Sequence, residues 1–147
     1  MLESKEIGYI LHRAAMFAKC HLTNKLNEFD ITPGQYMVLK EIYYYQINNK
    51  EFGLSPACIA ASLESDRPTI SGILERLEAQ NLTERVHNPQ DKRSCLIRVT
   101  QKAMDKLKEL EEISAVNDAK IRNGFTEEEI DTFKNYLLRV ADNFKNG

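Results

Sequence analysis

The sequence predicts a mainly α-helical chain of the α+β class: six helices and one two-stranded β-hairpin. Three observations predict it. Apolar residues recur at three- and four-residue spacing through most of the 147 positions, the period of helices with one buried face. Capping signals divide those stretches into separate helices. Only residues 82–100 hold two short β-leaning runs around a turn-rich segment, the pattern of a hairpin.

The first helix is predicted over 5–29. Ile7, Leu11, Ala14 and Ala18 fall at helical spacing, and Ile10, Phe17 and Leu22 widen the stripe. In "ITPGQYMVLKEIYYY" Thr32 is an N-cap, Pro33 opens a helix and Gln35 completes a capping-box pattern. "NNKEFG", 48–53, is the clearest loop. Ser55 and Pro56 start a short third helix with Ile59, Ala60 and Leu63 inward. Asp66 caps a fourth, whose inner face is Ile70, Ile73, Leu74 and Leu77. Asn81 is its left-handed stop.

The hairpin follows: "LTERVH" and "SCLIRVT", joined by the loop "NPQDKR". Thr100 caps a long fifth helix marked by Leu107, Leu110 and Ile113, which Asn123-Gly124 ends. Thr126 and Glu129 form a capping box for the last helix, with Ile130, Phe133, Leu137, Ala141 and Phe144 as its stripe.

Composition narrows the function. The formal net charge is −2, yet residues 83–108 hold seven Lys or Arg against three Asp or Glu, while 109–147 hold five against nine. A local basic patch on an acidic protein attracts a polyanion, since attraction acts over a Debye length of about 8–10 Å. No apolar run approaches the roughly 20 residues of a membrane span. Nothing at the start resembles an export signal, and three scattered cysteines make no disulfide framework. A cytoplasmic protein without membrane association is expected. No cofactor or metal is expected: His12, His21 and His87 do not form an i, i+4 pair, and no phosphate loop or catalytic motif appears. The chain does not read as an enzyme.

Two short helices followed by a hairpin outline a winged helix-turn-helix. In that arrangement the second helix enters the major groove and its N-terminal residues reach base edges. Here that end reads Arg67-Pro68-Thr69-Ile70-Ser71-Gly72. Arg67 suits guanine, Thr69 and Ser71 suit bases or phosphates, and Gly72 allows close backbone approach. The helix N-terminus itself favours a phosphate. Arg76 lies further along the same helix. The hairpin becomes the wing, with Gln90, Lys92, Arg93 and Ser94 toward DNA and the Lys92-Arg93 tip shaped for a minor groove. Asp91 is expected to brace the loop by pairing with Arg76 or Arg93.

The stretch from "SPACIAASL" through "DRPTISGILERLEAQ" to "DKRSCLIRVTQKA" resembles the winged-helix core of the MarR family of bacterial transcription regulators. Asp91 and Arg93 stand at its Asp-x-Arg wing signature, and the flanking helices match as well. Asn81 and Ala103 stand where the family often has glycine, and the loop before Leu54 is somewhat long. The resemblance implies dimerisation helices at 1–31 and 104–147 around a DNA-binding region at 32–103. It implies a homodimer on double-stranded, pseudo-palindromic operator DNA, usually a repressor, released by a small molecule or oxidant.

Family effector pockets lie between the dimerisation helices and the winged domain. That points to Arg13 as partner for an anionic or aromatic effector, with Tyr9, His12, Met16 and Tyr36 as wall residues. Alternatively, Arg13 reaches water or a glutamate across the dimer. Cys20, Cys58 and Cys95 raise an oxidant-sensing alternative; a winged helix used for protein–protein interaction is another.

Overall fold

The computed structural model describes residues 5–49 and 53–147. Six helices and one hairpin follow in order: α1 (Ile7–Asn27), α2 (Pro33–Asn49), α3 (Pro56–Ser62), α4 (Arg67–Ala79), β1 (Thr83–Asn88), β2 (Asp91–Val99), α5 (Gln101–Arg122) and α6 (Glu127–Lys145). The expected loop at 48–53 is helical at residues 48 and 49, and its positions 50–52 lie outside the described residues.

The helix starts are set by local chemistry. Thr32 and Gln35 exchange side-chain-to-backbone bonds of 3.0 and 3.1 Å, and Thr126 and Glu129 do so at 2.8 and 3.2 Å. Ser55, Asp66 and Thr100 each accept from the amide three residues on. Such caps satisfy amides that the first turn leaves unpaired. Asn81 takes φ 58° after α4, the left-handed stop its type favours.

The core lies in the winged-helix region. Leu39, Ile42, Ile59, Ile70, Leu74 and Leu77 are buried together, with Ile97, Leu107 and Leu110 closing the cluster. Each such side chain contributes about 1.5–3 kcal/mol on removal from water. α2 packs on α4 and β2, α3 on α4, and α1 along α5.

Leu54 extends the sheet. It exchanges backbone bonds of 2.9 and 2.7 Å with Ile97, and Gly53 before it adopts φ 148°. Gln46 of α2 then accepts from the Val99 amide at 2.6 Å, fixing the base of the wing to the helical body.

The outer helices differ from the core. In α1 only Leu26 is buried, while Ile7, Ile10, Leu11 and Phe17 of the expected stripe face out. In α6 Ile130 is buried, but Phe133, Leu137 and Phe144 are exposed, the last at 84%. Among the described residues nothing covers these stripes.

The wing tip departs from expectation. The strands run further than the sequence pattern indicates, so the turn is only Pro89-Gln90 and not a six-residue loop. Asn88 Oδ1 accepts from the Gln90 amide at 3.0 Å, and Asn88 Nδ2 donates to Ser94 Oγ at 3.1 Å. Pairing passes from His87–Cys95 directly to Asn88–Asp91. Lys92, Arg93 and Ser94 are therefore carried in a bulge on β2.

Candidate nucleic-acid interface

α3 and α4 form the helix-turn-helix, and the β-hairpin follows at the far end of α4. Asp66 Oδ1 accepts from the Thr69 amide at 2.8 Å, and Asp66 Oδ2 accepts from the Thr69 hydroxyl at 2.8 Å. These bonds, the amide's first, hold the Asp66 carboxyl below its ordinary range. The cap already supplies a negative charge at this helix end, which weakens the expected phosphate preference there. Thr69 has also committed its one hydroxyl proton, so toward a ligand it offers acceptor lone pairs and a methyl group.

Arg67, Pro68, Thr69, Ser71 and Arg76 are exposed, and Gly72 is half-buried. A Cβ at Gly72 would meet no atom within 4 Å. On the wing Gln90, Lys92 and Arg93 are exposed and Ser94 is half-buried. Among the described residues Arg67, Arg76, Lys92 and Arg93 form no ion pair, whereas Arg85, Arg98 and Arg122 are each held by carboxylates. The unpaired cations thus include two on α4 and two on the wing.

Asp91 braces the wing differently from the expected ion pair. Its Oδ1 accepts from the Arg93 backbone amide at 2.9 Å, and neither the Arg76 nor the Arg93 guanidinium pairs with it. A short carboxylate two residues away reaches the backbone more directly than a long side chain does, and the Arg93 guanidinium stays free.

Residues 31–95 match the family model described as "MarR family". The HTH-type transcriptional regulator BilQ of Clostridioides difficile is 27% identical over 141 residues, covering 96% of this chain and 91% of BilQ. The S. aureus MepR–DNA complex superposes with a TM-score of 0.86 at 26% identity, covering 95% of this chain and 99% of that one. Over residues 31–95, its winged helix-turn-helix region, the chain matches the MarR family. A cysteine-to-serine variant of E. coli MarR with operator DNA shares the fold, with a TM-score of 0.81 at 23% identity and coverage of 95% and 96%.

The matched MarR region runs from the start of α2 to Cys95 and so contains both unpaired-cation clusters. The suggested effector residues lie outside it except Tyr36. Tyr9 and His12 are exposed, and Met16 is half-buried. Arg13 stacks its guanidinium over Phe17 at 4.7 Å. Arg13 Nε and the Tyr36 hydroxyl are buried and have no hydrogen-bond partner among the described residues. A groove of about 490 Å³ between α1 and α5 is lined instead by Lys25, Phe29, Ile113 and the carboxylates Glu28, Glu109 and Glu112.

Cys20 and Cys58 are exposed, and Cys95 is half-buried; all three are free thiols. His21 Nδ1 lies 2.9 Å from Asn117 Oδ1, joining α1 to α5. Among the described residues no group of three or more His, Cys, Asp or Glu could hold a metal, and no helix is long and apolar enough to cross a membrane.

Sequence reasoning missed Arg85 in the wing. Its Nε donates to Glu78 Oε2 at 3.2 Å and its Nη1 to Cys95 Sγ at 3.3 Å. Strand pairing sets Cys95 opposite His87, two positions after Arg85, so the Cys95 contact was within reach of a correct register. The Glu78 contact was not, because it depends on how α4 meets the hairpin.

Proposed function

We propose that this chain is a sequence-specific, double-stranded DNA-binding transcriptional regulator, acting as a dimeric repressor that a small effector releases. The observation that carries the reading is the set of four exposed cations without carboxylate partners, Arg67 and Arg76 on α4 and Lys92 and Arg93 on the wing. Cations left free are available to displace counterions from phosphates, the main source of affinity for DNA. Arg67, Thr69, Ser71 and Gly72 near the start of α4 supply sequence preference, and the wing supplies charge and register.

Dimerisation is supported by the uncovered stripes of α1 and α6, which exceed what one copy covers. Residues 1–31 and 104–147 would then form the dimerisation region around the DNA-binding region 32–103. Two recognition helices would enter successive major grooves about 34–36 Å apart, which calls for a pseudo-palindromic site. The buried, unpartnered Arg13 Nε and Tyr36 hydroxyl support an acceptor-bearing, anionic or aromatic effector, because such donors are costly to leave unsatisfied. The three free thiols fit the reducing cytoplasm.

A gel shift on DNA immediately upstream of the protein's own coding sequence tests this reading. A retarded band should weaken steeply between about 50 and 200 mM salt, and unrelated DNA should not compete equally. No retarded band at the lower salt would remove DNA binding and leave a winged helix used for protein contacts.

The Arg85–Cys95 contact favours a second reading, release by oxidation of Cys95, since Arg85 Nη1 reaches its Sγ at 3.3 Å and oxidation there would alter that contact. Replacing all three cysteines by serine should abolish any response to peroxide if that reading holds. An unchanged response would dispose of it.

A further inference from the structure

The hairpin is tied to the body of the protein mainly at its base. Gln46 holds Val99, Leu54 pairs with Ile97, and Thr83, Ile97 and Val99 are buried. Beyond that, the polar contacts of the hairpin are internal: Glu84 with Arg98, Asn88 with Ser94, and Asp91 with the Arg93 amide. Among the described residues, Arg85 to Glu78 is the one hydrogen bond or ion pair that joins residues 84–95 to another element. Glu78 stands in the last turn of α4, the proposed recognition helix. The same guanidinium also reaches Cys95 Sγ on the returning strand, so one planar group touches α4, β1 and β2.

We propose that Arg85 is the positioning residue of the wing: by joining Glu78 to Cys95 it sets the angle at which Lys92 and Arg93 meet DNA relative to α4. A guanidinium suits this task because its donors lie in a rigid fork that meets two acceptors at once, which the single ammonium of lysine cannot reproduce. The wing tip lies several residues beyond this contact, so a small rotation at Arg85 displaces Lys92 and Arg93 by more. The inference rests on the DNA-binding reading above. Glu78 and Arg85 are both nearly half exposed, so the link is worth a modest, salt-screened amount. Its effect is on orientation more than on folding.

Two measurements on the full-length protein separate the link from its use. Hydrogen exchange of the wing amides at 86–96 in the free protein reports the link, and hydroxyl-radical footprinting on the upstream DNA probe reports its use. Arg85→Ala and Arg85→Glu should speed wing exchange about two- to fivefold, leave exchange in α4 and α5 unchanged, and thin the footprint over the flanking minor grooves while central protection persists. Arg85→Lys should restore only part of both signals. Glu78→Arg combined with Arg85→Glu should recover most of each, because the pair is reversed and the net charge kept.

Unchanged wing exchange in Arg85→Ala would overturn the proposal, as would a double variant no better than the worse single one. Faster exchange with an unchanged footprint would also overturn it, since the link would then hold the hairpin without aiming it. If the wild type leaves no footprint while exchange still responds, the DNA-binding reading fails, and the aiming role falls with it.

Discussion

Asp66 holds Thr69 through both the amide and the hydroxyl, each at 2.8 Å, so the first turn of α4 is fixed by one carboxylate. The folded-state pKa of Asp66 lies below its ordinary value of 3.8 because those two bonds favour the charged form. A group with a depressed folded pKa stabilises fully above its unfolded pKa, and that contribution is lost as pH falls through the folded one. The wild type should therefore lose this increment in acid. Asp66→Asn should flatten that limb, and Asp66→Ala should lower the melting temperature at neutral pH by a few degrees as well. Thermal melts across the acid range check both outcomes.

Arg93 is exposed and makes no ion pair among the described residues, while its amide is spent on Asp91. Arg93→Ala should weaken DNA binding and reduce the slope of log affinity against log salt by about 0.9 per wing. Gln90→Ala, on the same tip but uncharged, should leave the slope alone. Titrations at several salt concentrations distinguish them; an equal slope for Arg93→Ala would take the wing out of the electrostatic footprint.

Gly53 and Gly72 should respond oppositely to alanine. A Cβ at Gly53 would lie 2.4 Å from the Ile97 carbonyl oxygen, at φ 148°, so Gly53→Ala must disturb the Leu54–Ile97 bridge. A loss of about 1–3 kcal/mol in denaturant unfolding is expected. At Gly72, inside α4, nothing lies within 4 Å. Gly72→Ala should raise stability by about 0.5–1 kcal/mol, and should weaken DNA binding if the backbone approaches there.

Leu137→Asp places a charge in the uncovered stripe of α6, where Phe133 and Phe144 are also exposed. Sedimentation should show the wild type as a dimer at micromolar concentration and the variant shifted toward monomer, with helix content retained. A wild-type monomer at those concentrations would leave the stripe without its proposed cover.

Much of this architecture was legible because it is written in short-range chemistry. Thr32, Ser55, Asp66, Thr100 and Thr126 lie within three residues of the amides they satisfy, and Asn81 takes its left-handed conformation by its own nature. The wing tip was less legible. Its turn depends on whether Asn88 and Asp91 bond to backbone or to side chains, and alternation alone does not decide that. The sequence points to a guanidinium as the partner of Asp91, whereas its carboxylate accepts from the Arg93 amide. The tie of Arg85 to α4 carried no local signal, since its partner Glu78 is set by the docking of the hairpin. The surroundings of the suggested effector residues are hard to read for a related reason: α1 shows most of its apolar face, and a second copy would change what covers it.

The bulge at Lys92, Arg93 and Ser94 separates two kinds of constraint along the hairpin. From Thr83–Val99 to His87–Cys95 every residue has a strand partner, so an insertion there would turn inward-facing side chains outward. Beyond His87, the polar bonds of residues 88–94 are made among themselves. The tip is thus an exchangeable cassette. A residue inserted at the tip would leave the paired strands and the core beneath in register.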